Sequence, residues 1–293
     1  MKPSRAQFLD IRGLAYHVRT WGAPGARKLL LLHGWMDVSA SFQFLVDQLA
    51  REWLVLAPDW RGFGLTQTPQ EGYWFADYVA DLDALVEALA GDEPVVVTGH
   101  SLGGNVALAW AGARPARASH VISLDAFGIP ADPADRAPAK LRRWLDALRD
   151  PPGFAPYASL AAVADRLQKT NHRLTRDKAE FLAAHWAETL PDGSARLRAD
   201  PRHKRPFPTL ARREEMNALW AAIEVPVLWV VAAQSNIPAW VAQGGDAQAE
   251  IAERFAHLRR GRLAHVEDAG HMLHHDQPAA VARLIEEFTI AAA

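Results

Sequence analysis

The reading turns on Val95-Val96-Val97-Thr98-Gly99-His100-Ser101-Leu102-Gly103-Gly104, followed at once by Asn105-Val106-Ala107-Leu108-Ala109-Trp110. A short β-branched run meets a G-x-S-x-G signature and then a segment of helical period. The order is strand, sharp turn, helix, with the serine at the turn. Such a turn strains the serine backbone, so the residues two positions away on either side must be small. Gly99 and Gly103 meet that demand, and Gly104 lets the helix pack close to the strand. In this context Ser101 is placed as a nucleophile; the plainer alternative is an idle serine in a glycine-rich structural turn.

On either side of this unit, strand-like and helix-like segments alternate. Phe8 to Ile11 and Leu14 to Trp21 alternate as two strands joined at Gly13, a hairpin suited to a sheet edge. Leu29-Leu30-Leu31-Leu32 is a continuous apolar run of the kind buried on both faces, and it ends in His33-Gly34. Phe42 to Arg51 has helical spacing, and Leu54-Val55-Leu56-Ala57 is a further buried strand. Asp77 to Leu89 is helical in period and stops at Gly91. Val121-Ile122-Ser123-Leu124 delivers Asp125 at a strand end. These βαβ units imply an α/β fold with a mostly parallel sheet flanked by helices.

The pattern breaks at Gly128-Ile129-Pro130. From there to about Ile223 the chain is helix-like and punctuated by proline, which predicts an inserted helical cap over 129–223. Strand-like sequence resumes at Pro226 to Val231 and at Leu263 to Val266, and an amphipathic helix runs from Pro278 to Ile290. The expected division is a core of residues 1–128 and 224–293 with the cap between its two parts.

Composition narrows the function classes. The 293 residues are 49% hydrophobic and 23% charged, ordinary for a chain with a full core. The 32 Lys and Arg against 34 Asp and Glu give no global charge that would favour nucleic acid or a membrane surface. There is no cysteine, which excludes disulfides, thiolate metal sites and a cysteine nucleophile. The N-terminus has no apolar h-region and no segment is apolar enough to span a bilayer, so a cytoplasmic location is the default expectation. The 11 tryptophans suit either an aromatic substrate pocket or core packing. Nothing in the sequence sets an oligomeric state.

The chain resembles the α/β-hydrolase superfamily over nearly its whole length. His33-Gly34-Trp35, Asp59-x-Arg61-Gly62-x-Gly64, Gly99-x-Ser101-x-Gly103 and Gly270-His271 carry the match, in that order and at compatible spacings. Within it, Leu124-Asp125-Ala126-Phe127-Gly128 looks like the serine-hydrolase-like branch. The resemblance implies a Ser–acid–His triad with Ser101 as nucleophile and His271 as base. Most relatives carry the acid in the loop after the strand that here spans Pro226 to Val231. That loop reads Ala232-Ala233-Gln234-Ser235-Asn236-Ile237-Pro238, with Ser235 in the expected slot, and neither serine nor asparagine can stabilise an imidazolium by charge. The other location is the end of the sixth strand, where Asp125 sits; Asp246 ranks second.

The superfamily pattern places the oxyanion donors at the backbone N–H groups of Leu102 and Trp35, with Met36 as the alternative to Trp35. His33, Gly34, Trp35 and His100 are the residues expected against the substrate. Asp59 and Arg61 are assigned to structure. The basic cluster of Arg196, Arg198, Arg202, His203, Lys204 and Arg205 reads as a solvated face or as a site attracting anionic substrates. His274 and His275 are expected to open the helix that follows or to face solvent, and no metal site is expected.

The function implied is a serine hydrolase of a small, largely apolar carboxylic ester, lactone or thioester, working through an acyl-enzyme without a cofactor. Carbon–carbon bond hydrolysis, cofactor-free perhydrolysis and non-catalytic ligand binding are the rivals. A serine at the turn argues against epoxide hydrolases and dehalogenases, which use aspartate there.

Overall fold

The computed structural model describes residues 1–291. Eight strands form one sheet in the order β1-β2-β4-β3-β5-β6-β9-β10. The hairpin β1 (Ser4–Ile11) and β2 (Leu14–Trp21) is antiparallel, and β2 pairs antiparallel with β4 (Trp53–Pro58). The other pairings are parallel, through β3 (Arg27–Leu32), β5 (Val95–His100), β6 (Ala118–Leu124), β9 (Val227–Ala232) and β10 (Gly261–Val266). Leu29 to Leu32 are buried, as their unbroken apolar run requires for a strand covered on both faces. Apolar clusters pack on each face, one including Leu30, Leu32, Val97 and Trp110, the other Leu29, Leu31, Val96 and Ile122.

Register brings the functional ends together. Leu32 pairs with Gly99, His100 with Leu124 and Leu124 with Val230. The carboxyl ends of β3, β5, β6 and β9 therefore finish at one edge, where ligand sites form in open parallel sheets.

Helices α1 (Gln43–Gln48), α2 (Phe75–Ala90) and α3 (Leu102–Ala113) belong to the crossovers. The expected cap region holds α4 (Ala137–Arg149), α5 (Leu160–Thr170), α6 (Arg176–Trp186) and α7 (Arg213–Ala221). It also holds a small hairpin, β7 (Ala187–Thr189) with β8 (Ala195–Leu197), where only helix was expected. Its signal is Asp192-Gly193, with Gly193 at φ +83°, a turn pair that closes hairpins. At the C-terminal end of this region α7 returns to the core and packs on α3: a Cβ on Gly112 would meet the Leu219 carbonyl. The stretch after Ser235, read as loop, folds as α8 (Ile237–Ala242) and α9 (Ala247–Phe255). The chain closes with α10 (Leu273–Asp276) and α11 (Pro278–Ala291). Among the described residues no helix is long and apolar enough to cross a membrane.

Candidate active site

Ser101 sits at φ +52° and ψ −115°, a sparsely populated conformation costing about 1–3 kcal/mol for a residue with a Cβ. The neighbouring glycines make it possible. A Cβ on Gly99 would meet the Gly103 carbonyl, and one on Gly103 would meet the Leu32 carbonyl. Strand, turn and helix are packed too closely here for any larger residue. The Ser101 N–H is taken by the Leu124 carbonyl at 3.0 Å. Leu102 opens α3, so its own N–H has no acceptor within the helix.

Three side chains form a continuous row. Ser101 Oγ lies 3.1 Å from His271 Nε2, and His271 Nδ1 lies 2.7 Å from Asp125 Oδ2. The polarity follows: Nδ1–H donates to the carboxylate, which leaves the Nε2 lone pair facing the serine hydroxyl. Asp125 stands at φ +51° directly after β6 and is fully buried. Its Oδ1 accepts from the Ala232 N–H at 3.1 Å, and Ser235 Oγ–H donates to its Oδ2. Ser235, in the slot where the resemblance implied an acid, thus hydrogen-bonds the carboxylate at the end of the neighbouring strand. Asp246 takes no part: it is exposed and caps α9, accepting from the Gln248 and Ala249 N–H groups.

The row opens on a cavity of about 420 Å³. Ser101, Leu102, Asp125 and Trp35 border it, with walls that include Tyr73, Trp74, Phe127, Trp144, Phe207 and Trp240. Both uses of tryptophan are present. Trp21, Trp60, Trp110, Trp220 and Trp229 are buried in the core, while Trp35, Trp74, Trp144 and Trp240 face the cavity. The wall residues are drawn from distant parts of the chain, and only the tryptophan count hinted at them.

His33, Gly34 and His100, expected against the substrate, do not border the cavity. His33 is fully buried; its Nδ1–H donates to the Gly34 carbonyl at 2.7 Å and its Nε2 accepts the Trp60 N–H at 2.8 Å. Burial pushes it down to about 4, so it is a neutral strut beneath the loop. Gly34 is buried, and a Cβ there would press on His100 and Ser101. His100 is buried behind the nucleophile, and its Nε2–H donates to the His271 carbonyl at 2.7 Å. It anchors the histidine loop instead of touching substrate. In the loop that starts at His33, Trp35 borders the cavity, whereas Met36 packs against the core.

Asp59 and Arg61 lie in buried networks. Asp59 Oδ2 takes His17 Nδ1 at 2.7 Å and the Leu65 N–H at 2.9 Å, and its Oδ1 takes the Ser39 N–H at 2.6 Å. Burial opposes its charge, but the bonds from His17 and Leu65 hold it well below the usual carboxylate range. Arg61 grips the fully buried Asp81 at 2.5 Å.

The basic cluster divides. Arg196 pairs with Glu188, Arg202 with Asp200, and Lys204 lies 3.9 Å over the Phe154 ring. Arg205 borders the cavity, its Nε is buried, and its guanidinium has no hydrogen-bond or ion-pair partner among the described residues. His274 and His275 meet the first of their two expected placements, a helix, and not the second. They lie in α10 but are buried, at 0% and 4% exposure, instead of facing solvent.

A family model described as the alpha/beta hydrolase fold matches residues 28–278. The chain belongs to the α/β-hydrolase family. Several proteins named serine hydrolase-like are similar to it. A serine hydrolase-like protein of Dictyostelium discoideum is 25% identical over 94% of this chain and 79% of its own length. A serine hydrolase-like protein of Danio rerio is 38% identical over 40% of this chain, a match covering 36% of the relative. Among solved α/β hydrolases, the thioesterase domain from the curacin biosynthetic pathway superposes at TM-score 0.85 with 23% identity, covering 97% of this chain and 99% of that one. A hypothetical protein of Pseudomonas aeruginosa PAO1 gives 0.81 with 28% identity and 99% of both chains.

Proposed function

We propose that this α/β hydrolase is a serine hydrolase of carboxylic esters, including lactones and thioesters, acting on small, largely apolar acyl substrates. The observation that carries the reading is the row Ser101–His271–Asp125 opening on an aromatic-walled cavity. A serine hydroxyl is a weak nucleophile until a base takes its proton, and His271 Nε2 is within hydrogen-bond distance to do so. In this mechanism Ser101 Oγ attacks the carbonyl carbon while His271 accepts the proton. Asp125, charged and buried, holds the Nδ1–H tautomer and stabilises the imidazolium. The N–H groups of Leu102 and Trp35 receive the oxyanion. His271 returns its proton to the leaving alcohol or thiol, and water then repeats the sequence to release the acid. Residues 129–223 act as the cap over the site, contributing Trp144 and Phe207 to the cavity wall. The curacin thioesterase is a named thioester hydrolase of the same fold, which supports including thioesters among the substrates tested.

The test is turnover of p-nitrophenyl and thioester substrates of graded acyl length, with Ser101→Ala as control, beside labelling by a fluorophosphonate probe. The wild type should label and turn over, and the variant should do neither while retaining its circular dichroism. A folded wild type that neither labels nor turns over any acyl substrate would replace this reading with non-catalytic ligand binding.

A further inference from the structure

Beneath the two loops that frame the nucleophile lies a second group of polar side chains for which the hydrolytic mechanism has no use. Asp37, His274 and His275 are buried, at 2%, 0% and 4% exposure. One donor atom from each lies within 4.8 Å of the other two. Asp37 Oδ1 is fully engaged, accepting from the Val38 N–H at 2.9 Å, Trp186 Nε1–H at 3.0 Å and the Ser41 hydroxyl. Its Oδ2 has no partner among the described residues, nor do His275 Nε2 or either nitrogen of His274. A buried polar atom left unpaired is costly, so four in one place call for an occupant.

We propose that Asp37, His274 and His275 form a binding site for a borderline transition-metal ion, with zinc as the reference case. Two imidazoles and one carboxylate are a donor set that suits zinc and its neighbours, and a fourth position stays free for water. A tetrahedral zinc with bonds of about 2.1 Å spaces its ligands roughly 3.4 Å apart, so donors within 4.8 Å of one another close by at most about 1.4 Å. Rotation of the two rings about χ2 supplies such a movement. The ligands are also braced from outside, as metal ligands need to be: Asp37 by three donors and His274 by the Phe42 and His100 rings at 5.2 and 4.5 Å.

The protonation states agree with this geometry. Burial, with Lys178 second, pushes His275 down to about 3, and burial, with His275 second, lowers His274 strongly, so both rings present neutral lone pairs. Burial pushes the Asp37 carboxyl up to about 6, and a bound cation would favour its charged form. One carboxylate neutralises only half of a dipositive ion, and Lys178, donating to the His275 carbonyl at 3.0 Å, adds a like charge nearby. The affinity expected is therefore weaker than that of a closed structural zinc site.

Placement gives the site a consequence. Asp37 lies two residues beyond Trp35, and His274 three beyond His271, so a bound ion would tie the proposed oxyanion loop to the histidine loop. Trp186, which holds Asp37, belongs to the cap region, so the ion would also tie the cap to the core.

Metal-stripped, untagged protein should be titrated with zinc and followed by calorimetry and thermal melting, and with cobalt(II) followed by its ligand-field absorption. One equivalent should bind and raise the melting temperature. His275→Gln and His274→Gln should each weaken binding at least tenfold, and His271→Ala should leave it intact. Asp37→Asn should act likewise if it folds, but the histidine variants carry the test alone. No binding to the wild type would overturn the site and leave water as the partner of the orphaned atoms. Equal binding by wild type and both histidine variants would overturn it too, as would loss of binding in His271→Ala alone.

Discussion

Replacing Asp125 by asparagine isolates the charge and tautomer control of the row with almost no change in volume. The surroundings dictate which way the amide must sit. Oδ1 faces the fixed Ala232 N–H donor, so the amide oxygen takes that side. The NH2 group then occupies the Oδ2 position, 2.7 Å from His271 Nδ1. Two donors cannot share that contact, so the imidazole must give up its Nδ1 proton and carry it on Nε2. There it faces Ser101 Oγ and can no longer accept the serine proton. The same switch in a Ser-His-Asp protease lowers kcat by about 10⁴, equivalent to about 5.5 kcal/mol in the barrier. Ser235 can turn its hydroxyl to accept from the new amide, so the fold should tolerate the change. The assay is kcat on a p-nitrophenyl ester, with denaturant unfolding to verify the fold. A loss of less than tenfold in folded protein would refute the wiring. Asp246→Asn, which removes the charge but keeps an oxygen to cap α9, should leave kcat within twofold.

Two further outcomes rest on other parts of the structure. Arg205→Gln should cut kcat/KM for esters carrying a free carboxylate on the acyl chain by about tenfold, the worth of a partly desolvated charge-assisted hydrogen bond, while sparing neutral esters; equal effects on both would remove Arg205 from the binding surface. Stability should fall as pH drops below about 6.5, because unfolding frees histidines that the fold keeps neutral. His33 at about 4 and His203 and His275 at about 3 take up protons only when unfolded across that window, so protonation favours the unfolded chain. Asp37, pushed up to about 6, works in the opposite direction below that pH but is outnumbered. Thermal melts from neutral pH down to about 5 would check this, and a flat profile would contradict the burial argument.

Local sequence was enough to determine the α/β architecture and the turn that carries Ser101. Unbroken apolar runs mark strands covered on both faces, and glycines two positions from a serine mark a turn too crowded for side chains. Both signals lie within a few residues, so they can be read without folding the chain. The inserted hairpin at Ala187–Leu197 was legible too, at Asp192-Gly193, but the surrounding helical pattern masked it. His33 and His100 showed the limit of motif reading. Each lies beside a site residue in sequence, but the alternation of strand and turn directs its side chain into the core. Sequence ranked Asp125 above Asp246 as the acid for His271 by its place at a strand end, but could not show the contact, since both are separated from His271 by whole elements. The register of β6 against β9 decided it, placing Asp125 beside Ala232 and Ser235. The aromatic cavity and the cluster of Asp37, His274 and His275 have the same origin. Their members come from distant segments, and only packing brings them within reach of one another.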